Sequence, residues 1–334
     1  MADERPYGSV NAPPFTNAES RRTEAAIEPS SDELADALTT PISPFRQAVR
    51  RFARNRLAVA SLLVLVVLLV TTCIAQWLPL IDPTVPDAAN TDAWPSWPHL
   101  LGTDSNGHDL FSAMIYGLRP AFIVGVIGSV ITTVFGVVVG LAAGFRGGWV
   151  DALLSRFTDL IFAFPALVLA LLAEELFTNS SSPLGNALGD QARVIVMMVV
   201  FALLGWPPLM RFVRGLTLQY KQMQFVEAAR ALGVSNREIV TRHLLPNTWG
   251  LVLVQATFTV SGFIYTEIVL SILGLGVQVP TPDLGYLADQ ALGQLEVNWV
   301  ETIAPSALLT ILIVAFAFLG DGLRDAFDPQ TKES

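Results

Sequence analysis

The chain is 334 residues long, 52% hydrophobic and only 15% charged, with a formal net charge of −9 and a mean hydropathy of +0.52. Soluble domains carry about 25% charged residues, so this composition excludes an ordinary soluble protein, and the acidity argues against nucleic acid as the main partner. One cysteine, Cys73, excludes an intrachain disulfide framework, and three histidines, His99, His108 and His243, leave little material for a metal centre.

Residues 1–44 are polar, with eight acids set against Arg5, Arg21 and Arg22. Such a stretch cannot bury enough apolar surface to offset its ordering entropy, and it is too long and acidic for a signal-peptide n-region. The expectation is a disordered cytoplasmic tail; a regulatory or docking role is the alternative.

Six apolar blocks follow, at 57–81, 120–145, 157–177, 194–209, 248–273 and 302–319. A bilayer core of about 30 Å needs roughly 20 mostly apolar residues in a helix, so the predicted fold is an all-α bundle of six transmembrane helices. With the N-terminus placed inside, every Lys and Arg except Arg119 and Arg193 falls in an inside segment. The positive-inside rule then puts both termini in the cytoplasm.

Several positions within the blocks invite specific readings. Gly136, Gly140 and Gly144 repeat every four residues, a spacing that lets a second helix pack closely. Pro165, Pro207 and Pro208 remove backbone donors and predict kinks in spans three and four. Asp159, beside Arg156, is read as a structural ion-pair member. Glu267 lies inside the fifth span, where a charge is costly and usually faces a bundle interior or a water-filled cavity. It is a candidate for the translocation pathway, with a helix-joining hydrogen bond as the plainer alternative. The outside segments carry many acids, among them Asp82, Asp87, Asp104, Asp109 and Asp283, and almost no bases. They could dock a binding protein or attract a cationic substrate group, although positive-inside sorting alone leaves such loops acidic. Trp94, Trp97 and Trp299 are expected at the membrane interface. A nickel-ligand reading of His99 and His108 is a weak alternative, and no metal site is expected.

Between spans four and five the chain reads RFVRGLTLQYKQMQFVEAARALGVSNREIVTRHLLPN, residues 211–247. Glu227, Ala228 and Ala229 open a small-residue face, Gly233 lets the chain turn, and Ser235 to Glu238 is a capping box that restarts a helix. Two short helices joined by a glycine turn make a docking element, with Pro246 at the entry to the next span.

This segment resembles the EAA loop of ABC importer permeases, on Glu227, Ala228, Ala229, Gly233, Ile239, Leu245 and Pro246. The stretch Leu101-Gly-Thr-Asp-Ser-Asn-Gly-His-Asp109 with Ile115-Tyr-Gly-Leu-Arg119, Leu270-Ser-Ile-Leu-Gly-Leu-Gly276, and Gly320-Asp-Gly-Leu-Arg-Asp-Ala-Phe-Asp-Pro329 resemble the C-type permease subunits for dipeptides, oligopeptides and nickel. That family usually has Arg at the place of His108, Trp at Leu284 and Asn at Ala317. The resemblance covers residues 45–329 and leaves out the acidic tail and residues 330–334.

The resemblance implies a type I importer permease with the seven residues above coupling it to ATPase subunits. It also implies a homologous second permease, two ABC ATPases that hold ATP and Mg, an extracytoplasmic solute-binding protein and a peptide substrate. Nickel or another small solute is the alternative within the family. A phosphate-binding G-x-x-x-x-G-K-[ST] loop is absent, since neither Lys221 nor Lys332 follows a glycine, so the chain itself is expected to be a permease and not an enzyme. The competing class is a stand-alone secondary transporter or channel.

Overall fold

A computed structural model describes residues 44–178, 182–277 and 281–327. The expected acidic tail, apart from Pro44, and the C-terminal 330–334 lie outside the described residues. The contacts divide the chain into residues 1–47, described only as the first residues of a helix, and residues 48–334, which hold the bundle.

Helix α1, Pro44–Arg54, carries Arg46, Arg50, Arg51 and Arg54. Asn55 then accepts from the amides of Leu57 and Ala58 and caps α2, Arg56–Ile74. Leu57, Leu63 and Val67 on α2 are each 60% exposed or more, which in so apolar a helix is a lipid-facing surface. On its other face Ala58 is fully buried against Gly322, where an added Cβ would come within 2.2 Å of the alanine methyl.

The second crossing is longer than the apolar block implied. Helix α3, Leu110–Phe122, passes through a π turn at Ile123–Ile127 into α4, Gly128–Arg146. It starts ten residues before Pro120 because Asp109 caps it, accepting from the Ser112 amide at 2.8 Å. The predicted third span is broken into α5, Gly148–Phe162, and α6, Ala166–Thr178, bent by 73° where Pro165 withholds its donor. A short α7, Pro183–Leu188, leads to α8, Ala192–Tyr220, which runs continuously through Pro207 and Pro208. Then come α9, Gln224–Ala231, the turn α10, Asn236–Glu238, a π segment Ile239–Leu244 and α11, Leu245–Ile272. Asp283 caps α12, Leu284–Ala291, and α13, Trp299–Phe327, ends the described chain.

Five of these stretches are long and apolar enough to cross a membrane, and the bent pair α5 and α6 qualifies when taken as one span. Among the described residues there is no strand, only an isolated bridge between Thr103 and Asp109.

The glycine repeat of α4 meets α8, so its neighbour lies within this chain. A Cβ on Gly136 would sit 2.9 Å from the Leu209 side chain, on Gly140 2.8 Å from the Met210 carbonyl oxygen, and on Gly144 3.0 Å from that of Arg214. Backbones this close gain dispersion energy along the whole contact, which replaces the hydrophobic drive that lipid removes.

Candidate functional site

The polar segment after the fourth apolar block folds differently from two short helices in a loop. Residues 211–220 belong to α8, and α10, the π segment and α11 form one 37-residue helix, Asn236–Ile272. Only α9 stands as a separate short helix, with the turn Leu232–Ser235 after it. Pro246 lies in the first turn of α11 and is exposed.

Helix α9 ends in a Schellman motif. The Val234 amide donates to the Ala229 carbonyl at 3.0 Å and the Gly233 amide to the Arg230 carbonyl at 2.9 Å. Gly233 takes φ +78°, the left-handed region that glycine enters without penalty. Nothing lies within 4 Å of a Cβ placed there, so the need for glycine is set by the backbone alone. Ser235 accepts from the Glu238 amide at 3.3 Å and caps the next helix, while Glu238 turns to Arg242 at 2.9 Å. That is one half of the anticipated capping box.

The motif residues divide into an inner and an outer set. Ala229 and Ile239 are buried with Val226 and Leu244 in an apolar cluster that includes Val137, Leu141, Leu209, Val213 and Val252. This cluster is the floor on which α9 rests. Leu245 is partly buried against it, whereas Glu227, Ala228, Gly233 and Pro246 are exposed. Leu232, at the C-terminal end of α9, is 83% exposed.

Cationic side chains tie α9 and the end of α8 to α4. Lys221 donates through Nζ to the Phe145 carbonyl at 2.6 Å, one of the last carbonyls of α4, where a cation also meets the negative end of the helix dipole. Lys221 and Arg230 both lie over the Phe145 ring, 5.5 Å and 5.7 Å from its centroid. On the neighbouring arm, Arg214 grips Asp151 through Nε and Nη2, the latter at 2.7 Å. Asp159 is in an ion pair, but its partner is Arg211 of α8 at 2.6 Å, not the adjacent Arg156. Residues 156 and 159 share a helix face, yet the packing of α5 on α8 brings a better-placed guanidinium.

Sequence reasoning missed Leu232, Lys221, Arg230 and Phe145. An apolar residue directly before a turn glycine was a usable signal for Leu232. Nothing in the sequence links Phe145 to residues 76 and 85 positions later.

At the opposite end of the bundle, Glu267 is fully buried on α11. The Ser271 hydroxyl lies 3.1 Å from its Oε1 and 2.9 Å from Asp283 Oδ2. Asp283, also fully buried, accepts from the Tyr286 amide at 2.9 Å as the cap of α12. Burial raises the Asp283 carboxyl above its ordinary pKa, against the opposing effect of its hydrogen bonds. His99 Nδ1 and Asp109 Oδ1 are 3.0 Å apart, His108 Nδ1 and Asp104 Oδ2 likewise. The two histidines thus engage different aspartates, and among the described residues no three His, Cys, Asp or Glu gather as a metal cage. Trp94 and Trp299 meet edge to face at 6.4 Å.

Comparison with known proteins identifies this architecture. Residues 136–333 match the family described as binding-protein-dependent transport system inner membrane component. Residues 43–95 match the N-terminal TM domain of oligopeptide transport permease C. The chain is 34% identical over 308 residues to the oligopeptide transport system permease protein OppC of Haemophilus influenzae, covering 92% of this chain and 95% of that one. It is 34% identical to the dipeptide transport system permease protein DppC of Bacillus subtilis, over 89% of this chain and 90% of that protein. It is also 34% identical to the glutathione transport system permease protein GsiD of Pectobacterium atrosepticum, over 87% and 92% respectively. The fold is similar to that in the inward-facing MetNI methionine ABC transporter, with a TM-score of 0.51, 22% identity, and coverage of 65% of this chain and 97% of that one. The chain therefore belongs to the binding-protein-dependent transport system inner membrane components, as a multi-pass, non-catalytic permease subunit.

Proposed function

We propose that this chain is one of two homologous permeases in an ATP-driven importer of di- and oligopeptides. Two ABC ATPases that bind ATP and Mg, and an extracytoplasmic solute-binding protein, complete the assembly. Both termini are cytoplasmic in this reading, which follows the distribution of Lys and Arg. The permease domain is residues 45–329, and the segment 211–247 contacts an ATPase.

The observation that carries the reading is the construction of α9. Its inner face, Val226 and Ala229, is anchored in the apolar cluster, while Leu232 at its end is left 83% exposed. An exposed aliphatic on an anchored short helix is a knob for a groove in another protein. When closing ATPases move α9, the push passes to α4 through Lys221, Arg230 and Phe145. It passes to the long helix Asn236–Ile272 through Ile239 and Leu244. Glu227, Ala228, Ala229, Gly233, Ile239, Leu245 and Pro246 form the coupling element, the buried ones as its seat and the exposed ones as its contact. Glu267 acts at the outer end by joining α11 to the chain before α12.

Peptides are favoured as substrate by the relatives, which are named as permeases for oligopeptides, dipeptides and glutathione. The chain, tagged and extracted in mild detergent from its native membrane, should bring down a Walker-containing ATPase and a second permease. Proteoliposomes of that assembly should take up labelled peptide only with ATP and binding protein. ATP-independent transport by the chain alone would replace the reading with a secondary transporter, and ATP-dependent uptake of nickel but not peptide would move the substrate to a metal ion.

A further inference from the structure

A groove of about 700 Å³ runs between α4 and the start of the long helix Asn236–Ile272. Val137, Leu141 and Ala142 line it from α4, and Val240 and Leu245 line the facing wall. Its volume falls within the range of about 300–1,000 Å³ usual for small-molecule sites. Arg146, the last residue of α4, and Arg237, in the first turn of the facing helix, also line it. One helix ends where the other begins, so both cations stand at the same end of the groove. The length fits one leaflet. Val137 to Arg146 is nine residues, about 14 Å of helix, close to half of the roughly 30 Å hydrocarbon core of a bilayer. Trp149, just beyond Arg146 and 76% exposed, marks the headgroup level, where exposed tryptophan collects. Val138, which also lines the groove, is 61% exposed and opens it toward lipid.

The charge at that end is uncompensated. Among the described residues neither the Arg146 nor the Arg237 guanidinium enters an ion pair or a side-chain hydrogen bond. The acids that follow each of them in the chain are engaged elsewhere, Glu238 by Arg242 and Asp151 by Arg214, and no acidic residue is among those lining the groove. Lys221 and Arg230, over the Phe145 ring, add to the positive field. We propose that this groove binds one anionic phospholipid of the leaflet on the α9 side, which is cytoplasmic in the orientation given above. An acyl chain lies along the apolar walls, and the phosphate sits between the two arginines, whose planar forks suit phosphate oxygens. Basic pockets between membrane helices on the cytoplasmic side take anionic headgroups for the same reason. A zwitterionic lipid offers the phosphate but also an ammonium that the arginines repel, so the site selects net negative charge. An apolar helix of another subunit would fill the trough but leave both guanidinium groups without a counter-charge. The bound lipid ties the end of α4 to the first turn after α9 and so stiffens the element assigned to coupling.

The test places the full chain, alone and in its assembled complex, in nanodiscs of phosphatidylcholine and phosphatidylglycerol in equal amounts, and counts retained lipids by native mass spectrometry. One phosphatidylglycerol per chain should stay bound, in clear excess over phosphatidylcholine. Arg146→Gln combined with Arg237→Gln should weaken its retention by about 25-fold, roughly fivefold for each basic residue at an anionic headgroup. Ala142→Phe, which fills the trough without changing charge, should lower retention of both lipids. Arg242→Gln, which removes an exposed cation already paired with Glu238, should change nothing. Equal retention of the two lipids by the wild type, an unchanged preference in the double glutamine variant, or the same loss in Arg242→Gln would overturn the proposal. Retention by the chain alone but not by the complex would also overturn it and assign the groove to a neighbouring subunit. If Ala142→Phe does not accumulate, the arginine variants carry the comparison. Lipid retention is read without transport, so failure of the peptide reading would leave this result standing.

Discussion

Gly140 of α4 lies directly under the Met210 carbonyl of α8: a Cβ added to the glycine would stand 2.8 Å from that oxygen and 2.8 Å from Val213 Cβ. Neither neighbour is a flexible side-chain end, so the contact yields only by separating the two helices. Gly140→Ala should therefore destabilise the protein by about 1–3 kcal/mol. Gly215→Ala on α8, where a Cβ meets nothing within 4 Å, should be neutral or stabilising by up to about 1 kcal/mol through helix propensity. Thermal unfolding of both variants in detergent checks the contrast; equal midpoints would remove the case for close packing.

Gly233 makes a different demand, because space is free and only φ is unusual. Gly233→Ala should cost about 1 kcal/mol locally. Gly233→Pro forces φ near −65° and deletes the amide that bonds the Arg230 carbonyl, which unseats the end of α9. The alanine variant should keep substrate-stimulated ATPase activity in the assembled importer, and the proline variant should lose it while still inserting into membranes. Normal stimulation in the proline variant would refute the coupling role of α9.

Leu232→Asp should leave the unfolding midpoint unchanged, since the side chain is 83% exposed. It should weaken co-purification of the ATPase by roughly thirtyfold, the equivalent of about 2 kcal/mol for an interface hot spot. Unaltered ATPase binding would place the docking contact elsewhere.

The two ion pairs between α5 and α8 should differ in strength. Arg214 and Asp151 are joined by two bonds and largely shielded, whereas Arg211 and Asp159 are each about half exposed and joined by one. A double-mutant cycle should give a coupling of about 1 kcal/mol for the first pair and under about 0.5 kcal/mol for the second. The reverse order would mean that solvent exposure does not govern these pairs.

The sequence by itself determined the membrane class, the helical fold and the family resemblance. Each rests on properties of contiguous residues: the length of apolar runs, the placement of basic residues around them, and motif spacing within one loop. The left-handed turn at Gly233 and the cap at Ser235 were legible for the same reason, because a turn is made by the residues that enter it. Helix ends were less so. Nothing local marks Tyr220 as the end of α8, and the continuity of Asn236–Ile272 depends on burying Ile239 and Leu244 in a cluster drawn from four helices. Only the tertiary structure decided that Asp159 pairs with Arg211, that the glycine stripe faces α8, and that Lys221 reaches the Phe145 carbonyl. It also brought Glu267, a lone charge in an apolar run, to the same Ser271 hydroxyl as Asp283. Such pairings are set by which helices pack together, and packing in a bilayer is chosen by shape and hydrogen bonding across the whole bundle, which no single stretch of sequence contains.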